Sequence, residues 1–173
     1  MDSASLKGDR DNTSSGKRKT RSVKMEIDCM SVRIMSLLHD AACEGNIQKA
    51  QNHLDKGIDI NSRSNVMGYN TWHWVAIANQ IEVAEFLISK GADVSARSNV
   101  DVTPLHIAIK EGFLDFTRMP LDHGADPNIQ EDFGRTALDY AEIFEQPEME
   151  GVLREHGAEL NNPESLSSKF KSK

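Results

Sequence analysis

The sequence predicts an all-α solenoid: four stacked helix-turn-helix units joined by short β-turn or hairpin connections. Three observations predict it. His39, His73, His106 and Asp139 follow one another at steps of 34, 33 and 33 residues. Gly57, Gly91, Gly124 and Gly157 keep the same steps. Met30, Ile34, Leu37, Leu38 and Ala41 recur at three- and four-residue intervals, the spacing of one apolar helical face. Two independent markers in one phase define a repeat array, in which each unit buries its apolar face only against its neighbours.

The clearest unit opens with Thr103-Pro104-Leu105-His106, runs through Ile107-Ala108-Ile109-Lys110-Glu111-Gly112 and closes with Gly124-Ala125-Asp126-Pro127-Asn128. At these residues the segment from Met35 to Leu160, roughly three quarters of the chain, resembles the ankyrin-repeat family. The resemblance implies a scaffold that binds other molecules and does not itself catalyse.

In chain order, residues 1–28 form a basic tail. From Met1 to Lys24 it holds few large aliphatics, so it cannot offset the entropy of ordering and is expected to be disordered. Its cluster Lys17-Arg18-Lys19-Thr20-Arg21 fits an import signal, a basic-directed kinase site at Thr20 or Ser22, or a solubilising tail. The repeat domain spans residues 29–160, with repeats at about 35–64, 65–97, 98–130 and 131–160.

Repeat one lacks Thr-Pro before Leu38-His39 and has His53 where the family has a core leucine, as a capping repeat with a polar outer face would. Repeat two reads Asn70-Thr71-Trp72-His73, and Asn79 takes the inter-helix glycine's place. Asn tolerates the left-handed conformation, so the turn can survive, and Trp72 is expected to be buried. In repeat three Pro104 suits a first helical turn. Pro120 falls within the second helix, so that helix is expected to end early, with 119–123 a bent connection, or to kink. Repeat four opens at Phe133-Gly134-Arg135-Thr136-Ala137-Leu138-Asp139, and Pro147 can start its second helix. Asp139, Glu142 and Arg154 read as a water-facing C-terminal cap. Residues 161–173 form a polar, basic tail expected to be disordered.

The formal net charge is -7, with about +2 in each tail and therefore -11 in the body between them. An acidic body argues against a nucleic-acid groove and favours a basic partner; a solvated surface without partner meaning fits equally. Cys29 and Cys43 make neither a disulfide framework nor a zinc set, which fits a reducing compartment. With no apolar run of ~20 residues and no secretory h-region, membrane insertion is not expected, and a cytoplasmic or nuclear location is.

The resemblance implies that His39, His73 and His106 fix turn geometry by bonding nearby backbone. Stacked one per repeat, they lie too far apart to share an ion held at ~2 Å per ligand. His123 and His156 precede terminal glycines, where positive charge suits a helix end. No nucleophile elbow, phosphate loop or metalloprotease helix occurs, and pairs such as Glu82 with Glu85 lie on a solvent face. No enzyme activity, catalytic residue, cofactor, metal or small-molecule substrate is expected.

The family's variable positions lie at the turn tips and on the exposed side of each first helix, along one concave face. Transferred by phase, they are Val66, Met67, Tyr69, Ile77 and Ala78, then Asn99, Val100, Val102, Lys110 and Glu111, then Asp132, Phe133, Arg135, Ile143 and Phe144. Tyr69, Phe133, Arg135 and Phe144 are the expected anchors, with inward-turned or tail-covered side chains the alternative. The function expected is that of a monomeric protein-binding adaptor, scaffold or inhibitor. The alternatives are a nuclear regulatory subunit whose basic arm contacts nucleic acid or an import receptor, and a degenerate array that orders fully only on its partner.

Overall fold

The structure, a computed structural model, describes residues 37–63 and 67–161. Both tails, the Lys17–Arg21 cluster with Thr20 and Ser22, Met30 and Ile34 of the apolar face, and Val66 of the expected site lie outside these residues.

Eight helices, in four pairs, occur among the described residues: α1 Leu37–Cys43 and α2 Ile47–Asp55, α3 Thr71–Ala78 and α4 Ile81–Ser89, α5 Pro104–Glu111 and α6 Leu114–Asp122, α7 Ala137–Ile143 and α8 Pro147–Glu155. The first helices α1, α3, α5 and α7 stack on one another in sequence, and each packs on its own second helix. This is the all-α ankyrin-type solenoid.

Three helix starts share one device. Asn70, Thr103 and Thr136 cap α3, α5 and α7 by accepting a hydrogen bond from the N–H three residues on, while the side chain of His73, His106 or Asp139 accepts from the cap's own N–H. Two N–H groups that the helix leaves unpaired are thereby satisfied at each start. The turn between the helices of each repeat needs a left-handed residue: φ is 72° at Gly45, 51° at Asn79, 78° at Gly112 and 53° at Glu145. Asn79 does keep the turn, and Glu145 does so without the tolerance of Gly or Asn.

The core lies between the helix rows. Leu38, Leu87, Leu105, Leu138 and Leu153 are fully buried, each worth about 2 kcal/mol relative to exposure. Trp72 is buried against Phe116 of the next repeat, with ring centroids 5.5 Å apart.

Three expectations need correction. Asp139 is not part of a water-facing cap; it is buried, where its side chain closes the capping box of α7. Helix α6 does not end before Pro120; it runs through it to Asp122, nine residues like α2, α4 and α8. Pro120 sits in the last turn, where its missing N–H forfeits only a bond to the Phe116 carbonyl. It is buried at the position where Leu87 and Leu153 pack, and the His123 N–H still closes the helix on the Met119 and Pro120 carbonyls. His53 is also not part of a polar outer face. It is buried, and neither ring nitrogen has a hydrogen-bond partner among the described residues.

Candidate functional site

Between the helix pairs the chain projects in tight turns that stack on one another. Ser98 N–H donates to the Val102 carbonyl at 2.9 Å and Glu131 N–H to the Arg135 carbonyl at 3.1 Å, closing two of these fingers; Arg63 and Asn70 form an antiparallel bridge at the base of the preceding one. Ser98 Oγ accepts from Val100 and Val102, and Glu131 Oε1 accepts from Arg135, so a buried side chain braces each turn from within.

Adjacent fingers are tied backbone to backbone: Asn99 N–H donates to the Met67 carbonyl at 3.0 Å and Asp132 N–H to the Val100 carbonyl at 3.2 Å. The approach is closest at Gly68, where a Cβ would stand 2.8 Å from the Asn99 backbone nitrogen. Only glycine fits there.

Histidines hold the fingers from below. Thr103 N–H donates to His106 Nδ1 at 3.2 Å, which leaves the proton on Nε2 to donate to the Arg135 carbonyl at 3.3 Å. His73 Nε2 lies 2.9 Å from the Val102 carbonyl, one repeat earlier. Burial lowers both rings to a pKa of about 4, so they are neutral at pH 7. His39 is lowered by burial as well, against a backbone hydrogen bond to Ser62. Asp139 has no ring nitrogen with which to reach a following repeat. Its Oδ2 accepts from Thr136 N–H at 2.7 Å, and Thr136 Oγ instead reaches the Glu159 carbonyl at 3.2 Å.

A second ladder runs behind the fingers. Asp59, Asp93 and Asp126 each accept from the backbone N–H two residues on, which turns Asn61, Ser95 and Asn128 toward the next repeat. Their side-chain oxygens accept from the N–H groups of Asp93, Asp126 and Glu159 at 2.9, 3.2 and 2.8 Å. The rigid backbone so produced sets the spacing of the finger tips.

Met67, Val100 and Phe133 hold one position in successive fingers and are exposed to 46%, 46% and 81%. Asn99, Asp132 and Arg135 flank them, also exposed, and the Arg135 guanidinium lies 5.6 Å from the Phe133 ring centroid. On the first helices Lys110 and Glu111 are exposed and 3.9 Å apart. Phe144, 40% exposed, leans on Tyr140 at 5.8 Å.

Other expected site residues turn toward the interior. Tyr69 is half-buried, stacked flat on His73 at 4.8 Å and edge-on to Trp74 at 5.7 Å, and burial raises its pKa. Val102 and Ile77 pack against the core, Ile143 is half-buried and Ala78 is buried. Two residues beyond the expected set join the face from beneath. Trp74 supports Tyr69, and Tyr140 lies edge-on to His106 at 4.9 Å. Both directly follow the repeated His or Asp position, a phase that Trp74, Ile107 and Tyr140 share and that the sequence does display.

Among the described residues no His, Cys, Asp and Glu group is placed to hold a metal ion, and no helix is long and apolar enough to cross a membrane. No curated protein matches the chain. Residues 67–99 match the ankyrin repeat, and residues 87–141 match the family of ankyrin repeats in many copies. The matched stretch contains all three finger tips, the two histidine struts and the capping boxes at Asn70, Thr103 and Thr136, and on that agreement the chain belongs to the ankyrin-repeat family.

Proposed function

We propose that this chain is a non-enzymatic adaptor or inhibitor whose protein partner lies along the finger tips and the adjoining first-helix face. Ankyrin repeats are, as a class, protein-interaction modules. The observation that supports this face is the in-phase row Met67, Val100 and Phe133. A phenylalanine with four fifths of its surface in water contributes little burial to the fold, whereas the same ring covered by a partner would be worth about 2 kcal/mol. Among the described residues Asp132, Glu145 and Arg135 on this side have no ion pair, so charges of both signs rim the apolar row, which suits a partner with an apolar centre and a mixed polar rim.

The test is affinity capture from a cell extract with the full chain and with a Met67→Ser, Val100→Ser, Phe133→Ser variant of unchanged helicity. A protein held by the wild type and released by the variant is the expected result. The same proteins retained by both would remove the face from consideration.

A further inference from the structure

Each second helix ends on a basic residue: Lys56, Lys90, His123 and His156 cap α2, α4, α6 and α8. A cation there suits the partial negative charge of the helix end. His156 does more than cap. Its Nδ1 lies 2.8 Å from the Val152 carbonyl of its own helix, and its Nε2 lies 3.2 Å from Asp122 Oδ1 on α6, in the preceding repeat. A carbonyl oxygen and a carboxylate can only accept. Both ring nitrogens must therefore carry hydrogen, and only the imidazolium does. A neutral ring bonded to Val152 would turn the Nε2 lone pair toward the carboxylate.

We propose that His156 is a proton-operated latch between the last two repeats: protonated, it ties the end of α8 to the end of α6, and on losing its proton it lets go. The charges acting on the ring are Asp122 from α6 and Glu155 from its own helix, and both favour the cation. Arg154, the nearest cation in sequence, is engaged with Glu142 at 3.7 Å, and His123 follows Asp122 at the end of α6. The hydrogen bond to Val152, opposed by partial burial and then aided by Asp122, raises the pKa above 6.5. A raised folded-state pKa means that the latch contributes below 6.5 and is lost as pH rises through the folded value.

Opening it does not release the whole repeat. Asn128 still donates to the Gly157 carbonyl at 3.0 Å and accepts from Glu159 N–H. What loosens is the last turn of α8 against α6. This device does not depend on whether the finger face binds a partner.

The test uses the full chain, with proton–carbon NMR titration of the histidine rings and amide exchange of α8 corrected for intrinsic rates, at about pH 6 and about pH 8. His156 is expected to titrate above 6.5 in the wild type and lower in Asp122→Asn. The last-turn amides of α8 are expected to exchange several-fold faster at the higher pH in the wild type, with little such change in the variant. A His156 midpoint at or below 6.5, a midpoint indifferent to Asp122→Asn, or pH-independent exchange of α8 overturns the proposal. The substitution is at an exposed position, and unchanged circular dichroism verifies that the variant folds.

Discussion

The hydroxyl of Thr103 does two jobs that an amide cannot. It accepts from His106 N–H and, at 2.8 Å, can also donate to His106 Nδ1. In repeat two the same place is held by Asn70, whose Oδ1 accepts from His73 N–H at 3.2 Å and stands 2.6 Å from His73 Nδ1. With the ring neutral and Nε2–H directed at Val102, two lone pairs then face each other. Turning the amide over would give Nδ1 a donor but leave His73 N–H facing a donor too, so one bond is unmade either way. Asn70→Thr should stabilise the chain by about 1 kcal/mol. Urea unfolding that finds no gain, or a loss, would mean that the pair satisfies itself in a way this geometry does not permit.

At the scale of the helix, α6 shows how far local rules reach. Proline in a helix interior costs ~3 kcal/mol, and the expectation of an early end followed from that figure. It failed because the penalty applies to an interior. At residue seven of nine only the Phe116 carbonyl loses a partner, while the buried ring fills the place of Leu87 and Leu153. Pro120→Leu should restore the bond and fill the same space, raising stability by about 1 kcal/mol. A neutral result in a chemical melt would show that the neighbouring side chains have already adapted to the ring.

The helix pairs themselves were legible from sequence, because the His/Asp and Gly markers report capping boxes and left-handed turns that only a few residues can make. The finger-tip row was legible for the same reason, as Met67, Val100 and Phe133 share a phase. Which neighbours turn inward was not. Tyr69, Val102 and Ile77 lie on surfaces where a small change of backbone direction decides between core and water, and no residue type announces that choice. His53 is polar yet buried, and polarity alone does not report exposure. Trp74 stands one residue after the histidine, outside the family's variable positions, and supports the face only through Tyr69.

The whole molecule responds to pH in two opposite directions. His73 and His106 are held near 4 by burial, below the ordinary 6.5. Between those values the unfolded chain takes up protons that the folded chain refuses. Their contribution is therefore complete above 6.5 and declines as pH falls toward 4, by roughly 3 kcal/mol for each ring. His39 acts in the same direction, and His156 in the reverse one, above 6.5. The thermal midpoint should fall from pH 7 to about 4.5, more steeply in the wild type than in His106→Gln. A flat profile over that interval would show that the histidine struts open to water.

Helix α5 faces two ways. Ile107 and Ala108 pack into the cluster built around Trp72, Val75 and Leu87, while Leu105 and Ile109 pack into the one built around Leu138, Val152 and Leu153. The boundary between repeats in the sequence is thus not a boundary in the interior. Cutting the chain between the second and third repeats would not yield a pair of finished modules; it would leave a raw apolar wall on each piece. The 33-residue unit is one of inheritance, and the smallest indivisible piece of this protein is larger than any one copy of it.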